Sequence, residues 1–135
     1  MRIETIQYIS AAHHLPKHKG ACKNMHGHLW VIKIIAEGEP NEENMLFDFG
    51  LIKGQLDHKL INDIIPNPTA ENITLWVKDQ LINANPKLIY IDVSVWEDVK
   101  ALIDVGRIYR NEGEHINESW FWSSKKKEWE AYPCE

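Results

Sequence analysis

RIETIQYISAAHHLPKHKGACKNMHGHLWVIKIIAE, residues 2–37, reads as two strands joined by a loop. Residues 2–13 are rich in Ile, Thr and Tyr, and alternation places Ile3, Thr5, Gln7, Ile9, Ala11 and His13 on one face. Residues 14–25 hold Pro16, Gly20, Asn24 and a set of Lys and His side chains, the composition of a loop. Residues 26–37 form the second strand, with His26, His28, Trp30, Ile32 and Ile34 sharing a face until Gly38 and Pro40 end it. The loop folds the two strands antiparallel, which carries His13 towards His26 and His28.

Outward from this hairpin, Phe49, Ile52, Leu56, Leu60 and Ile64 recur at helical spacing over residues 48–64. Gly50 and Gly54 weaken that helix, and the segment ends irregularly around Asp57-His58. Thr69 reads as the N-cap of a second helix that runs to about Asn85, with Glu71 in its first turn and Pro86 closing it. Leu88 to Glu97 alternates as a third strand, and residues 102–110 are expected to form a fourth. The order strand, strand, helix, helix, strand, strand predicts an α+β fold, an antiparallel four-stranded sheet with two helices on one face. Residues 1–110 make one domain. Residues 111–135 are polar and charged, hold Trp120, Trp122 and Trp129, and read as a C-terminal extension of unknown role. The three tryptophans are expected to pack on the exterior of the fold or on a neighbour.

A chain of 135 residues with 44% apolar and 26% charged side chains has material for one core and is a suitable size for an oligomer subunit. The formal net charge of −5 argues against a nucleic-acid binder, which needs clustered Lys and Arg. No apolar run is long enough for a membrane span or a secretory signal, and Cys22 and Cys134 are too few for a disulfide framework. A cytoplasmic setting is therefore expected.

Four of the seven histidines stand in two tight pairs, His13-His14 and His26-Gly27-His28. Histidines two apart on a strand point the same way, so His26 and His28 can reach one metal ion, and His13 adds a third imidazole. Three histidines with an open fourth position suit a catalytic zinc. His14 competes with His13, because adjacent strand residues face opposite sides and only one can join. Cys22, separated from His26 by three residues, fits either a fourth ligand or a thiolate base beside the metal. In Asp57-His58 the carboxylate can fix the tautomer of the imidazole. Glu97, facing the side opposite Trp96, can bind a planar N–H edge with two parallel hydrogen bonds. Lys17, His18, Lys19 and Lys23 make the loop between the two strands basic.

The segments Ser10 to Leu15, Cys22 to His28, Phe47-Asp48-Phe49, Leu56-Asp57-His58, Asn67 to Asn72 and Val95-Trp96-Glu97 together resemble, in order, the 6-pyruvoyltetrahydropterin synthase/6-carboxytetrahydropterin synthase family. The resemblance covers roughly residues 5–110. It implies the tunnelling fold, in which three four-stranded sheets join into a barrel and two trimers stack as a homohexamer with active sites between subunits. It implies Zn2+ on His13, His26 and His28, with Cys22 as catalytic base and Asp57 and His58 as its proton relay. It implies that Glu97 anchors a pterin with help from Thr69 and Glu71, and that the substrate is a pterin triphosphate, 7,8-dihydroneopterin triphosphate. Three residues between Cys22 and His26 resemble the carboxy-forming branch of 7-deazaguanine (queuosine) biosynthesis. The pyruvoyl-forming branch, an aldolase-type relative and a non-catalytic Cys-His zinc module are the alternatives. The stretch from Asp98 to Gly106 is longer than the family's turn between the last strands.

Overall fold

The computed structural model of the chain describes residues 1–103, 108–111 and 115–132. Strand β1 spans Arg2–His13 and β2 spans His26–Gly38. They pair antiparallel in one unbroken register, which sets Ala11 opposite His28 and His13 opposite His26. The face predicted from alternation is the one that is buried: Gln7, Ile9, Ala11 and His13 point into the core from β1, and Trp30, Ile32, Ile34 and Ala36 from β2. Gly38 closes β2 because a Cβ there would stand 2.6 Å from the Lys87 carbonyl oxygen.

Helix α1 is shorter than its apolar spacing suggests and covers only Gly50–Leu56. Asp48 starts it by accepting the Gly50 N–H at 2.8 Å. Ile52 and Leu56 are buried, whereas Phe49 is exposed and Phe47 takes its place in the core. The helix stops where the edge of β1 captures the chain. His58 N–H donates to the Ser10 carbonyl at 2.7 Å, and Ala12 N–H donates to the Lys59 carbonyl at 3.1 Å. These bonds replace the next helical turn, and His58 adopts the left-handed conformation, φ 58°, to make them.

Helix α2 runs Ala70–Ala84 and is capped by Thr69, whose side chain accepts the Asn72 N–H at 3.1 Å. Its inner side buries Ile73, Thr74, Val77 and Leu81. Strand β3 follows at Leu88–Glu97 and pairs antiparallel with β2, placing Glu97 opposite Trp30.

The strand expected over 102–110 is not the neighbour of β3 among the described residues, and residues 104–107 of it lie outside them. Strands β4 (Val99–Ile103) and β5 (Ile108–Asn111) make a separate two-stranded sheet. The turn comes at Asp98, whose φ of 58° ends the extended run of β3. The neighbour of β3 is instead β6, His115–Ser123, followed by β7, Glu128–Ala131. The main sheet is therefore five-stranded, β1-β2-β3-β6-β7, and it continues through residues read from the sequence as an extension. The polar character of β6 has a local cause. On the sheet face away from the helices, Asn117 donates to Asp92 at 2.9 Å and to Ser94 at 2.6 Å, and Ser119 donates to Asp92 at 2.7 Å. Polar side chains thus knit β6 to β3 on one face while Trp120 enters the core from the other.

Both helices share one hydrophobic core with the sheet, α2 lying against β3 and β6 and α1 against β1. Trp120, expected outside, is only 6% exposed, and the Lys78 ammonium sits 5.2 Å from its ring centroid. Trp129 packs against the same core, and Trp122 is 39% exposed. Trp120→Ala should cost about 3–5 kcal/mol of stability, as truncations of large buried aromatics do. Trp122→Ala should stay within roughly 1 kcal/mol of the native chain. Urea unfolding of the two variants beside the native protein measures both.

Candidate metal centre

The β1–β2 register gathers the histidines. His13 and His26 are cross-strand partners, and His28 lies two residues further along the same face. Trp30 forms the floor, with its ring 5.0 Å from that of His13 and 5.3 Å from that of His28 in edge-to-face contact. The indole N–H donates to the Ala11 carbonyl at 3.3 Å, which fixes the floor to β1. The Trp30–Glu97 pairing brings the end of β3 to the same place. One ligand atom each from His13, His26, His28 and Glu97 falls within a group in which all lie within 4.8 Å of one another.

Hydrogen bonds to backbone carbonyls settle the tautomers of two of these rings. His13 Nδ1 is 2.8 Å from the Pro68 carbonyl, and His26 Nδ1 is 2.6 Å from the Asn24 carbonyl. A carbonyl oxygen only accepts, so each Nδ1 carries the proton and each Nε2 presents a lone pair. These two Nε2 atoms face each other at 3.0 Å. His28 lies between two carboxylates, Asp98 at 2.6 Å from Nδ1 and Glu97 Oε1 at 2.7 Å from Nε2, and that Nε2 is buried without a well-formed hydrogen bond. A metal ion at Nε2 requires the ring proton on Nδ1, facing Asp98. Converging lone pairs repel unless a cation lies between them. A tetrahedral zinc with bonds of about 2.0–2.1 Å requires ligand nitrogens roughly 3.3 Å apart, close to the spacing of His13 and His26. The donor set fits a metal ion.

His13 is the most enclosed of the group, 1% exposed. Burial, reinforced by the neighbouring His26, His28 and His14, lowers its pKa from 6.5 to about 4, against the opposing pull of the Pro68 carbonyl. A ring that stays neutral well below pH 7 is ready to act as a ligand. His14 is held differently: its N–H donates to the Asn62 side-chain oxygen at 2.9 Å, and it stands outside the convergent group.

The other expected site residues fall into two sets. Asp57 accepts the Ser10 N–H at 2.9 Å with one oxygen, and its other oxygen is 3.5 Å from His58 Nε2. His58 is 82% exposed and shares an open cleft of about 580 Å3 with Ala12, Gly27, His28, Lys59 and Asp98. Gly27 lies on that cleft with nothing from its own chain within 4 Å of where a Cβ would stand. Thr69 and Glu71 occupy the start of α2, directly after the Pro68 carbonyl that orients His13. Cys22 lies in a short 3-10 turn, Ala21–Lys23, half-buried; it belongs neither to the convergent group nor to the cleft lining. Lys17, His18, Lys19 and Lys23 are exposed along the same loop. Sequence reasoning placed Glu97 as a pterin anchor and not among the metal-holding atoms. It missed Asp98 and the two carbonyls of Asn24 and Pro68. Two acids in succession at a strand end were the available signal for Asp98; backbone carbonyls leave none.

A family model described as 6-pyruvoyl tetrahydropterin synthase matches residues 2–107. The chain belongs to the 6-pyruvoyl tetrahydropterin synthase family. A Pyrococcus abyssi protein, provisionally named a 6-carboxy-5,6,7,8-tetrahydropterin synthase, is 30% identical over 148 residues, covering 83% of this chain and 94% of that protein. A dihydroneopterin monophosphate aldolase of Pyrococcus furiosus is 32% identical over 84 residues, covering 56% of this chain and 72% of that one. The 6-pyruvoyl tetrahydropterin synthase structure of Plasmodium falciparum superposes with a TM-score of 0.53 at 14% identity, over 90% of this chain and 98% of that one. The architecture is the tunnelling fold of the 6-pyruvoyl tetrahydropterin synthase family, with five strands in the main sheet here.

His13→Ala, His26→Ala and His28→Ala should each lose bound metal, and His14→Ala should keep it; elemental analysis of the purified variants reads this directly. The metal-free protein should also become acid-sensitive through His13. Its folded pKa lies below its unfolded value, so the unfolded chain takes up the proton first. The stability that neutral His13 confers is complete above pH 6.5 and falls away as pH drops from 6.5 towards about 4. Urea unfolding across that range should show a smaller pH dependence for His13→Gln than for the native chain.

Proposed function

We propose that the chain is a cytoplasmic, zinc-dependent 6-carboxy-5,6,7,8-tetrahydropterin synthase of 7-deazaguanine (queuosine) biosynthesis. It would convert 7,8-dihydroneopterin triphosphate and water to 6-carboxytetrahydropterin, acetaldehyde and triphosphate. The carrying observation is the convergence of ring nitrogens of His13, His26 and His28 beside the cleft that also holds His58. Zinc held there supplies Lewis acidity towards the hydroxyl oxygens of the pterin side chain. Cys22, as a thiolate, takes a proton from that side chain. His58, steered by Asp57, carries protons to and from the reacting atoms. Glu97 binds the N–H edge of the pterin through its carboxylate, with Thr69 and Glu71 at the start of α2 lining the approach.

The exposure of His58 and the separation of Cys22 from the cleft support an assembly in which the two come from different subunits. A homohexamer built as a dimer of trimers provides such sites. The product assignment rests on the three residues between Cys22 and His26, and the Pyrococcus abyssi relative supports it. The resemblance to the Pyrococcus furiosus aldolase favours a second reading, in which the chain cleaves the side chain of a dihydroneopterin phosphate without forming a carboxylate.

Incubation of the zinc-loaded protein with 7,8-dihydroneopterin triphosphate, followed by mass analysis of the pterin and an aldehyde trap, separates these readings. The carboxy product with acetaldehyde is expected. A pyruvoyl product, or 6-hydroxymethyldihydropterin with glycolaldehyde that still carries the triphosphate, would reject the assignment. Cys22→Ala should keep its zinc and lose turnover by about two to four orders of magnitude, as loss of an acid–base group does. Loss of zinc from that variant would make Cys22 a ligand and favour a structural module.

A further inference from the structure

The three imidazoles are not held alike. His13 and His26 are oriented by neutral carbonyls, those of Pro68 and Asn24. His28 alone is oriented by a carboxylate, Asp98, at 2.6 Å from its Nδ1. Glu97 reaches the other nitrogen of the same ring at 2.7 Å. Consecutive acids at the end of β3 therefore clasp His28 from both sides. The clasp depends on backbone geometry. In a continuing strand, Asp98 would point away from Glu97. The left-handed turn at Asp98, φ 58°, redirects its side chain, and its N–H is anchored to the Leu29 carbonyl at 3.0 Å. Asp98 also lines the cleft shared by His28 and His58.

We propose that Asp98 is the positioning residue of the metal centre, holding His28 through Nδ1 and placing a negative charge behind one ligand of the three. The inference rests on the metal-centre reading above. Its chemistry follows from the pairing: a carboxylate behind a ligand imidazole fixes the tautomer, restricts ring rotation and raises the basicity of the nitrogen that faces the metal. Asp98 also brings a second carboxylate to the site. With Glu97 it balances the charge of a divalent cation that three neutral imidazoles leave uncompensated. A competing role is purely structural: a protonated His28 clamped between two acids, tying the end of β2 to the end of β3.

The two roles separate in a titration of zinc, against a chromophoric chelator, into the stripped full-length protein and two variants. Asp98→Ala should bind zinc about 10–100-fold more weakly than the native chain, the usual effect of losing an outer partner of a ligand histidine. Asp98→Asn keeps an acceptor oxygen but no charge and should fall between the two. The visible spectrum of Co2+ bound in place of zinc should shift in Asp98→Ala, because His28 is no longer held in one orientation. The melting temperature of the metal-free protein should be unchanged in Asp98→Asn. Zinc affinity equal to native in both variants, or in Asp98→Asn alone should Asp98→Ala fail to fold, overturns the proposal. Lower metal-free stability with native affinity overturns it too, in favour of the clamp. If the native chain itself does not bind zinc, the metal-centre reading fails, and that result is distinct from the variant outcomes.

Discussion

The pairing of His13 with His26 across β1 and β2 is the constraint on which the rest of the molecule depends. Strand side chains alternate, so a slip of one residue would send His26, His28 and Trp30 to the opposite face of the sheet and leave His13 alone. The alternation of Ile9 and Ala11 on β1, and of Ile32, Ile34 and Ala36 on β2, forbids that slip, because it would expose the core. The hydrophobic pattern that folds the hairpin thereby sets the geometry of the candidate metal centre.

The site is then tuned by groups that approach from other parts of the chain. The loop before β2 supplies the Asn24 carbonyl, the turn before α2 supplies Pro68, and the end of β3 supplies Glu97 and Asp98. Each accepts a hydrogen bond at Nδ1 or, for Glu97, faces an Nε2. Together they aim three flexible imidazoles at one point. Removing the water around such a cluster costs free energy that only a cation, or protons, can return.

The hairpin, the capped helix α2 and the limits of β3 were legible because their signals are local: alternation, an N-cap Thr before an acidic first turn, and Pro86 as a stop. The shared direction of His26 and His28 was legible because residues two apart on a strand must share a face. Two further features depended on distant partners. Helix α1 ends early because Ser10 and Ala12, far away in sequence, take over the backbone bonds of residues 57–60. Strand β6 was read as part of an extension because its Asn117 and Ser119 have partners on β3 that no local pattern announces. The 3.5 Å contact of Asp57 with His58 matched its sequence cue, whereas Asp98 was hidden by a left-handed turn.

Strand β7 gives the sheet a stepped border. It pairs with residues 120–123 of β6 and ends at Ala131, and Tyr132 N–H then closes on the Ser119 carbonyl at 2.9 Å. Among the described residues, no strand flanks residues 115–118 of β6 on that side. A strand from another molecule could lengthen the sheet there only until it met the end of β7. The step thus sets a length: an added strand on that side could pair with residues 115–118 of β6 and no further before it met β7.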